Sequence, residues 1–167
     1  MAQKIKRPFI IDVEASGFGS ASYPIEIGLA LETDTRYCSL IQPSPRWTHW
    51  DEAAEKTHKI SREILNRRGK PLGQVARELN KILEGTTVYS DGWGVDKPWI
   101  TRLYSEAGVR QTFSVSPLER ILTESQMEIW HDKKAKIIKK FDLERHRASI
   151  DAFIIQETFV RTLALVD

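Results

Sequence analysis

The run Phe9-Ile10-Ile11-Asp12-Val13-Glu14 sets two carboxylates into an otherwise apolar segment. In a β-strand, alternation puts Ile10, Asp12 and Glu14 on one face and Phe9, Ile11 and Val13 on the other. Like charges so spaced repel, and each resists leaving water. The pair therefore calls either for a solvated sheet face with a Lys or Arg opposite, or for a cation. A second group is His146-Arg147-Ala148-Ser149-Ile150-Asp151, where Ser149 suits a helix N-cap and Asp151 falls in the first turn, a position that also complements a helix dipole. A third is Tyr89-Ser90-Asp91-Gly92-Trp93-Gly94-Val95-Asp96, a strand running into a Gly-rich turn with two acids. Taken together, Asp12, Glu14, Asp96 and Asp151 form an oxygen-only donor set suited to hard cations, Mg²⁺ or Mn²⁺. Two such ions ~3.5–4 Å apart activate water and stabilise a leaving oxygen, and a nearby histidine can take the proton.

The elements that must position these groups follow from pattern. Pro8 to Ser16, Ile25 to Glu32 and Arg36 to Ile41 read as strands, with Thr33-Asp34-Thr35 as a hairpin turn. Asp51 to Leu65 holds one or two short helices. Pro71 to Leu83 is a helix with Leu72, Val75, Ala76, Leu79, Ile82 and Leu83 on one face, Pro at its start and Gly85 after its end. Thr86 to Ser90 is a fourth strand, Lys97 to Ala107 a helix, Gln111 to Val115 a fifth strand, and Ser116 to Lys140 is helical in part. Ser149 to Val166 is the last helix, its core stripe formed by Ala152, Phe153, Ile155, Phe159, Val160 and Leu163. The order predicts one α/β domain over residues 1–167 with a mixed sheet whose first three strands form an antiparallel meander.

Composition narrows the function classes. The 167 residues suit a single domain, and 41% hydrophobic with 29% charged residues is globular rather than disordered. With 25 Lys+Arg against 23 Asp+Glu, bulk charge does not mark a nucleic-acid binder, although a basic groove can be offset by an acidic site. Cys38 is the sole cysteine, which removes disulfides and cysteine-based zinc sites within one chain. No apolar run approaches ~18 residues, so no membrane span is expected, and the basic N-terminus is followed by too short an apolar stretch for a signal peptide; a cytoplasmic protein is the expectation. No Walker-type phosphate loop is present. Lys133, Lys134, Lys136, Lys139 and Lys140 form either a solvated helix face or a phosphate-tracking surface, and Arg67, Arg68 and Lys70 have the same ambiguity. Trp47 and Trp50 read as loop-packing residues.

The Asp-x-Glu-x-Ser-Gly of Asp12 to Gly17, the Asp96 segment and the His-x-x-x-x-Asp of His146 to Asp151 resemble, in order and spacing, the three motifs of the DEDDh 3′→5′ exonucleases, a group that includes proofreading exonucleases, oligoribonuclease and ribonuclease T. Lys56-Thr57-His58-Lys59-Ile60-Ser61 resembles that family's His-Gly-Ile-(Ser/Thr) segment, with Lys59 in place of Gly. The resemblance covers nearly the whole chain. It implies a ribonuclease H-like fold, a mixed five-stranded sheet flanked by helices. It assigns Asp12, Glu14, Asp96 and Asp151 to two divalent metal ions and makes His146 the general base. It implies that Ala15, Ser16, Gly17 and Phe18 hold the terminal nucleotide of a single-stranded RNA or DNA, with Phe18 stacking on the base, and it places His58 and Trp93 among the substrate-binding residues. A homodimer is compatible, since some relatives are dimers. The second motif departs from the family's His-Asn-Ala-x-Phe-Asp: here Asp91 and Trp93 are unusual. Asp96 keeps the register. Asp91 is a turn acid, a group that steadies the ligands from behind, or itself the ligand; Trp93 packs or lines the substrate groove. The competing reading is a catalytically inactive nucleic-acid-binding or adaptor module on the same fold, but all four acids and the histidine are intact.

Overall fold

The computed structural model describes residues 5–32 and 35–166. The predicted turn residues Thr33 and Asp34 lie outside the described residues. Five strands form one sheet in the order β3-β2-β1-β4-β5, with β1 Ile10–Ala15, β2 Pro24–Ala30, β3 Arg36–Leu40, β4 Thr87–Ser90 and β5 Ser114–Pro117. β1/β2 and β2/β3 are antiparallel, β1/β4 and β4/β5 parallel. This is the expected meander joined to a parallel half.

The alternation in β1 divides the core. Ile11 and Val13 join Ile25, Ile27 and Leu29 of β2 under helices α3 (Leu72–Leu83) and α4 (Trp93–Ala107). Ile10 points to the other face, where it packs with Ala152, Ile155 and Phe159 of α6 (Ala148–Val166) and Trp130 of α5 (Glu124–Phe141). Asp12 and Glu14 share the face of Ile10, one and two pleats further along. Two short helices, α1 (Glu52–His58) and α2 (Arg62–Arg68), link the meander to α3. Among the described residues, no helix is long and apolar enough to cross a membrane.

Three boundaries differ from the sequence reading. Helix α4 starts at Trp93 rather than Lys97: Gly92 caps it, the Trp93 indole Nε1 donates to the Val115 carbonyl at 3.0 Å, and the amides of Val95 and Asp96 close the first turn on Gly92. That tertiary anchor outweighs the poor helix propensity of Gly94. The fifth strand is Ser114–Pro117, later than expected. Helix α6 starts at Ala148, so Ser149 lies inside it and is not its cap; Ile150 and Asp151 donate their amides to the Arg147 carbonyl, each at 2.9 Å. Helix α6 also lies between sheet and α5, and so buries more than its expected stripe: Ile154, Gln156, Thr158 and Thr162 are inside, while Phe153 is only half-buried.

Candidate active site

The four predicted carboxylates arrive from three elements. Asp12 and Glu14 stand on β1, at the carboxyl end of the parallel β1/β4 pair, where open α/β sheets gather ligands. Asp96 stands in the first turn of α4 and is buried; its Oδ2 accepts from the Ser90 hydroxyl at 2.5 Å, and the same hydroxyl accepts from the Gly92 amide at 3.0 Å. Asp151 stands in the first turn of α6, also buried; its Oδ2 accepts from the His146 amide at 2.9 Å and its Oδ1 from Arg145 Nε at 2.5 Å.

These groups feel one another. Burial pushes the Asp12 carboxyl well above its usual range, and the charges of Asp96, Asp151, Glu14 and Asp91 add to the rise. Burial and the charges of Asp151, Glu26 and Asp96 push Glu14 up to about 7, with Arg145 opposing. Burial pushes Asp96 up to about 7, with the Ser90 hydrogen bond pulling down and Asp91 pushing up. Donor atoms of Glu14, His146 and Asp151 lie within 4.8 Å of one another. A buried, mutually repelling oxygen set is a poor resting state without a cation, and so it fits a hard divalent ion.

A stability consequence follows. In the folded protein Glu14 and Asp96 hold their protons more tightly than in the unfolded chain. Their contribution is therefore complete below the unfolded carboxylate range and is lost as pH rises from about 4 to about 7. In EDTA, the melting temperature should fall between pH 5 and pH 8, and excess Mg²⁺ or Mn²⁺ should remove most of that fall. A thermal-shift series with and without metal measures it.

The loop after β1 is held by hydrogen bonds around Ser16. The Ser16 hydroxyl is 2.9 Å from His49 Nδ1 and accepts from the Tyr23 amide at 3.1 Å, the Ser16 amide donates to the Tyr23 carbonyl, and its carbonyl accepts from Asp51. Ala15 and Ser16 are buried. Gly17 has a φ of 150°, and a side chain there would overlap His49 and Asp51. Phe18 follows, a residue 75% exposed, its ring centroid 6.2 Å from that of Trp99. His58 is 3% exposed, its Nδ1 accepts from the Ile60 amide at 3.1 Å, and its ring is edge-on to Trp50. Its ring is thus packed in the interior beside Trp50. Lys59, which stands where the resembled segment has Gly, adopts the left-handed backbone (φ 58°), and its Nζ bonds Glu144 at 3.0 Å.

Asp91 pairs with Lys134 of α5 at 2.9 Å, while its charge still acts on Asp12 and Asp96. Lys134 is thereby tied to the turn after β4. Trp93 is about a third exposed, with Lys97 Nζ 4.9 Å from its ring centroid. Both line a surface groove of about 710 Å³ with Trp47, Arg46 and Arg102, beside Asp96 in sequence but not including it. Trp47 stacks on Tyr23 and Trp50 Nε1 donates to Glu55 at 2.6 Å, so both hold the loop down as expected. Sequence reasoning missed Ser90, Arg145, Glu26 and Arg147. Glu26 alone carried a signal, as the one acid in the apolar strand Pro24-Ile25-Glu26-Ile27.

No protein-family model matches the sequence, and no curated protein matches it. Solved structures do. E. coli exonuclease I in complex with a dA16 oligonucleotide superposes with a TM-score of 0.71 at 10% identity, covering 96% of this chain and 41% of that one. A moderately thermophilic exonuclease I from Methylocaldum szegediense gives 0.72 at 10% identity, over 98% and 41%. A zinc-bound form of the E. coli exonuclease I complex with single-stranded DNA gives 0.66 at 9% identity, over 95% and 40%. The chain thus spans about two fifths of the length of these proteins and shares their fold. The five-stranded mixed sheet flanked by helices agrees with the ribonuclease H-like architecture expected above.

Proposed function

We propose that this chain is a member of the DEDDh group, a metal-dependent 3′→5′ exonuclease that releases nucleoside 5′-monophosphates from the 3′ end of single-stranded RNA or DNA. The observation that carries the reading is the convergence of Asp12, Glu14, Asp96 and Asp151, with His146 beside Glu14 and Asp151. The fold shared with exonuclease I structures, among them complexes with single-stranded DNA, supports it.

In this reading Asp12, Glu14, Asp96 and Asp151 hold two divalent ions, Mg²⁺ or Mn²⁺. When bound, these supply charge neutralisation at the phosphate and acidify water. The chain supplies the rest. His146 lies exposed at the rim and takes the proton of the attacking water. Water oxygen bonds to the last phosphorus, the P–O3′ bond breaks, the terminal nucleotide leaves with a 5′-phosphate, and O3′ of the shortened strand takes a proton from solvent. Ser90 fixes the rotamer of Asp96. Phe18 offers a flat ring to the terminal base, and Trp93 with Lys97 offers a second ring and a cation to the strand.

Phe18→Ala should raise KM about 10-fold, in the range of one lost base–aromatic stack, with kcat little changed. Steady-state rates on a single-stranded oligomer check this. The function itself is tested by chromatography of products from unlabelled single-stranded RNA and DNA with Mn²⁺: nucleoside 5′-monophosphates support it, and intact strands or internal fragments refute it. The faster substrate decides between RNA and DNA.

A further inference from the structure

Glu26 is the one charged residue of β2 and is 0% exposed. A buried charge persists only with partners. Its Oε1 accepts from Arg147 Nη2 at 2.7 Å and from Cys38 Sγ at 3.2 Å, its Oε2 accepts from the Ala148 amide at 3.0 Å, and Arg147 Nε lies 3.2 Å from both oxygens. Arg147 is also the residue whose carbonyl starts α6. In the β1/β2 pairing Glu26 stands opposite Glu14, and Gly28 opposite Asp12. A side chain at Gly28 would overlap the backbone of Ala148 and Ser149. The N-terminus of α6 is thus fastened to β2 at two points directly beside the β1 carboxylates.

The segment before α6 is held on both sides of His146. Glu144 bonds Lys59, Arg145 bonds Asp151, and Arg147 bonds Glu26. His146 itself adopts a φ of 63°, an uncommon backbone for a residue with a side chain, and one that a loose loop would leave. Its imidazole is exposed, yet a ring nitrogen lies within 4.8 Å of the Glu14 and Asp151 donor atoms.

We infer that Glu26, acting through the forked hydrogen bonds of Arg147, is a positioning residue that holds the turn in which His146 and Asp151 face Glu14. The kinetic part rests on the nuclease reading; the structural part does not. An apolar pair of similar size could stabilise the fold as well, but only a planar guanidinium on a carboxylate fixes orientation.

That distinction sets the test. Glu26→Leu/Arg147→Leu removes both charges, and Arg147→Lys keeps the charge but not the fork. Both are compared with the wild-type chain by thermal melting, amide hydrogen exchange, and kcat and KM on a single-stranded oligomer with Mn²⁺. The double variant should melt near the wild type. Amides of residues 146–151 should exchange at least about 10-fold faster, with those of β1 unchanged. In both variants kcat should fall about 100-fold, with KM within about 3-fold, as expected when a reacting group is displaced by ~1 Å. Wild-type exchange at 146–151 together with wild-type kcat in either variant overturns the inference. If the double variant does not fold, Arg147→Lys decides alone. If the wild type hydrolyses nothing, the nuclease reading fails, and the exchange measurement still decides whether Glu26 and Arg147 hold the turn.

Discussion

Asp12→Asn is expected to abolish hydrolysis and, at the same time, to make the metal-free protein melt at a higher temperature. Both effects come from one feature. Asp12 is pushed well above the usual carboxylate range by burial, and then by Asp96, Asp151, Glu14 and Asp91. Without a cation its negative charge is a liability; in the proposed nuclease it is a ligand shared among the same acids. Asn keeps the shape but removes the charge. The loss of transition-state stabilisation should lower kcat by about 10³-fold or more, equivalent to ~4 kcal/mol. Removing the buried repulsion should raise stability in EDTA at neutral pH by about 1–3 kcal/mol, or roughly 3–10 °C for a domain of this size. Rate assays with Mn²⁺ and thermal melting in EDTA read the two effects. A lowered melting temperature in EDTA would show that Asp12 is a stabilising partner and not a strained ligand.

His146→Gln separates two roles that the geometry alone leaves adjacent. The imidazole is near enough to Glu14 and Asp151 to share an ion with them, and exposed enough to meet a water. As general base, its loss should lower kcat about 10²–10⁴-fold while Mn²⁺ affinity, measured by calorimetry, stays within about 3-fold. A drop in Mn²⁺ affinity of about 100-fold, in step with kcat, would make His146 a ligand instead.

Much of this was legible in the chain. Two acids on one face of an apolar strand are visible from alternation alone, and the sheet's meander follows from its turn signals. The helix start at Trp93 was not, because Gly92 and Gly94 read as a turn and the anchor on the Val115 carbonyl lies far along the chain. The burial of α6 was read as one-sided because Thr158 and Thr162 look polar; both return their hydroxyls to the helix, to the carbonyls of Ile154 and Thr158 at 2.7 Å, and so can face the interior. Glu26 and Arg147 are 121 residues apart, and a pairing at that separation has no local signature. The loop after β1 shows the same limit: Ser16 meets His49, Tyr23 and Asp51, partners that no local pattern announces.

The most direct test of the central claim is a denaturing gel. Single-stranded RNA and DNA of equal sequence, labelled at the 5′ end, are incubated with the protein in Mg²⁺, in Mn²⁺ and in EDTA, beside Asp12→Asn. A ladder that shortens from the 3′ end is expected with either metal, and none in EDTA or in the variant. A ladder that persists in EDTA or in Asp12→Asn, internal cleavage, or intact strands throughout would contradict it.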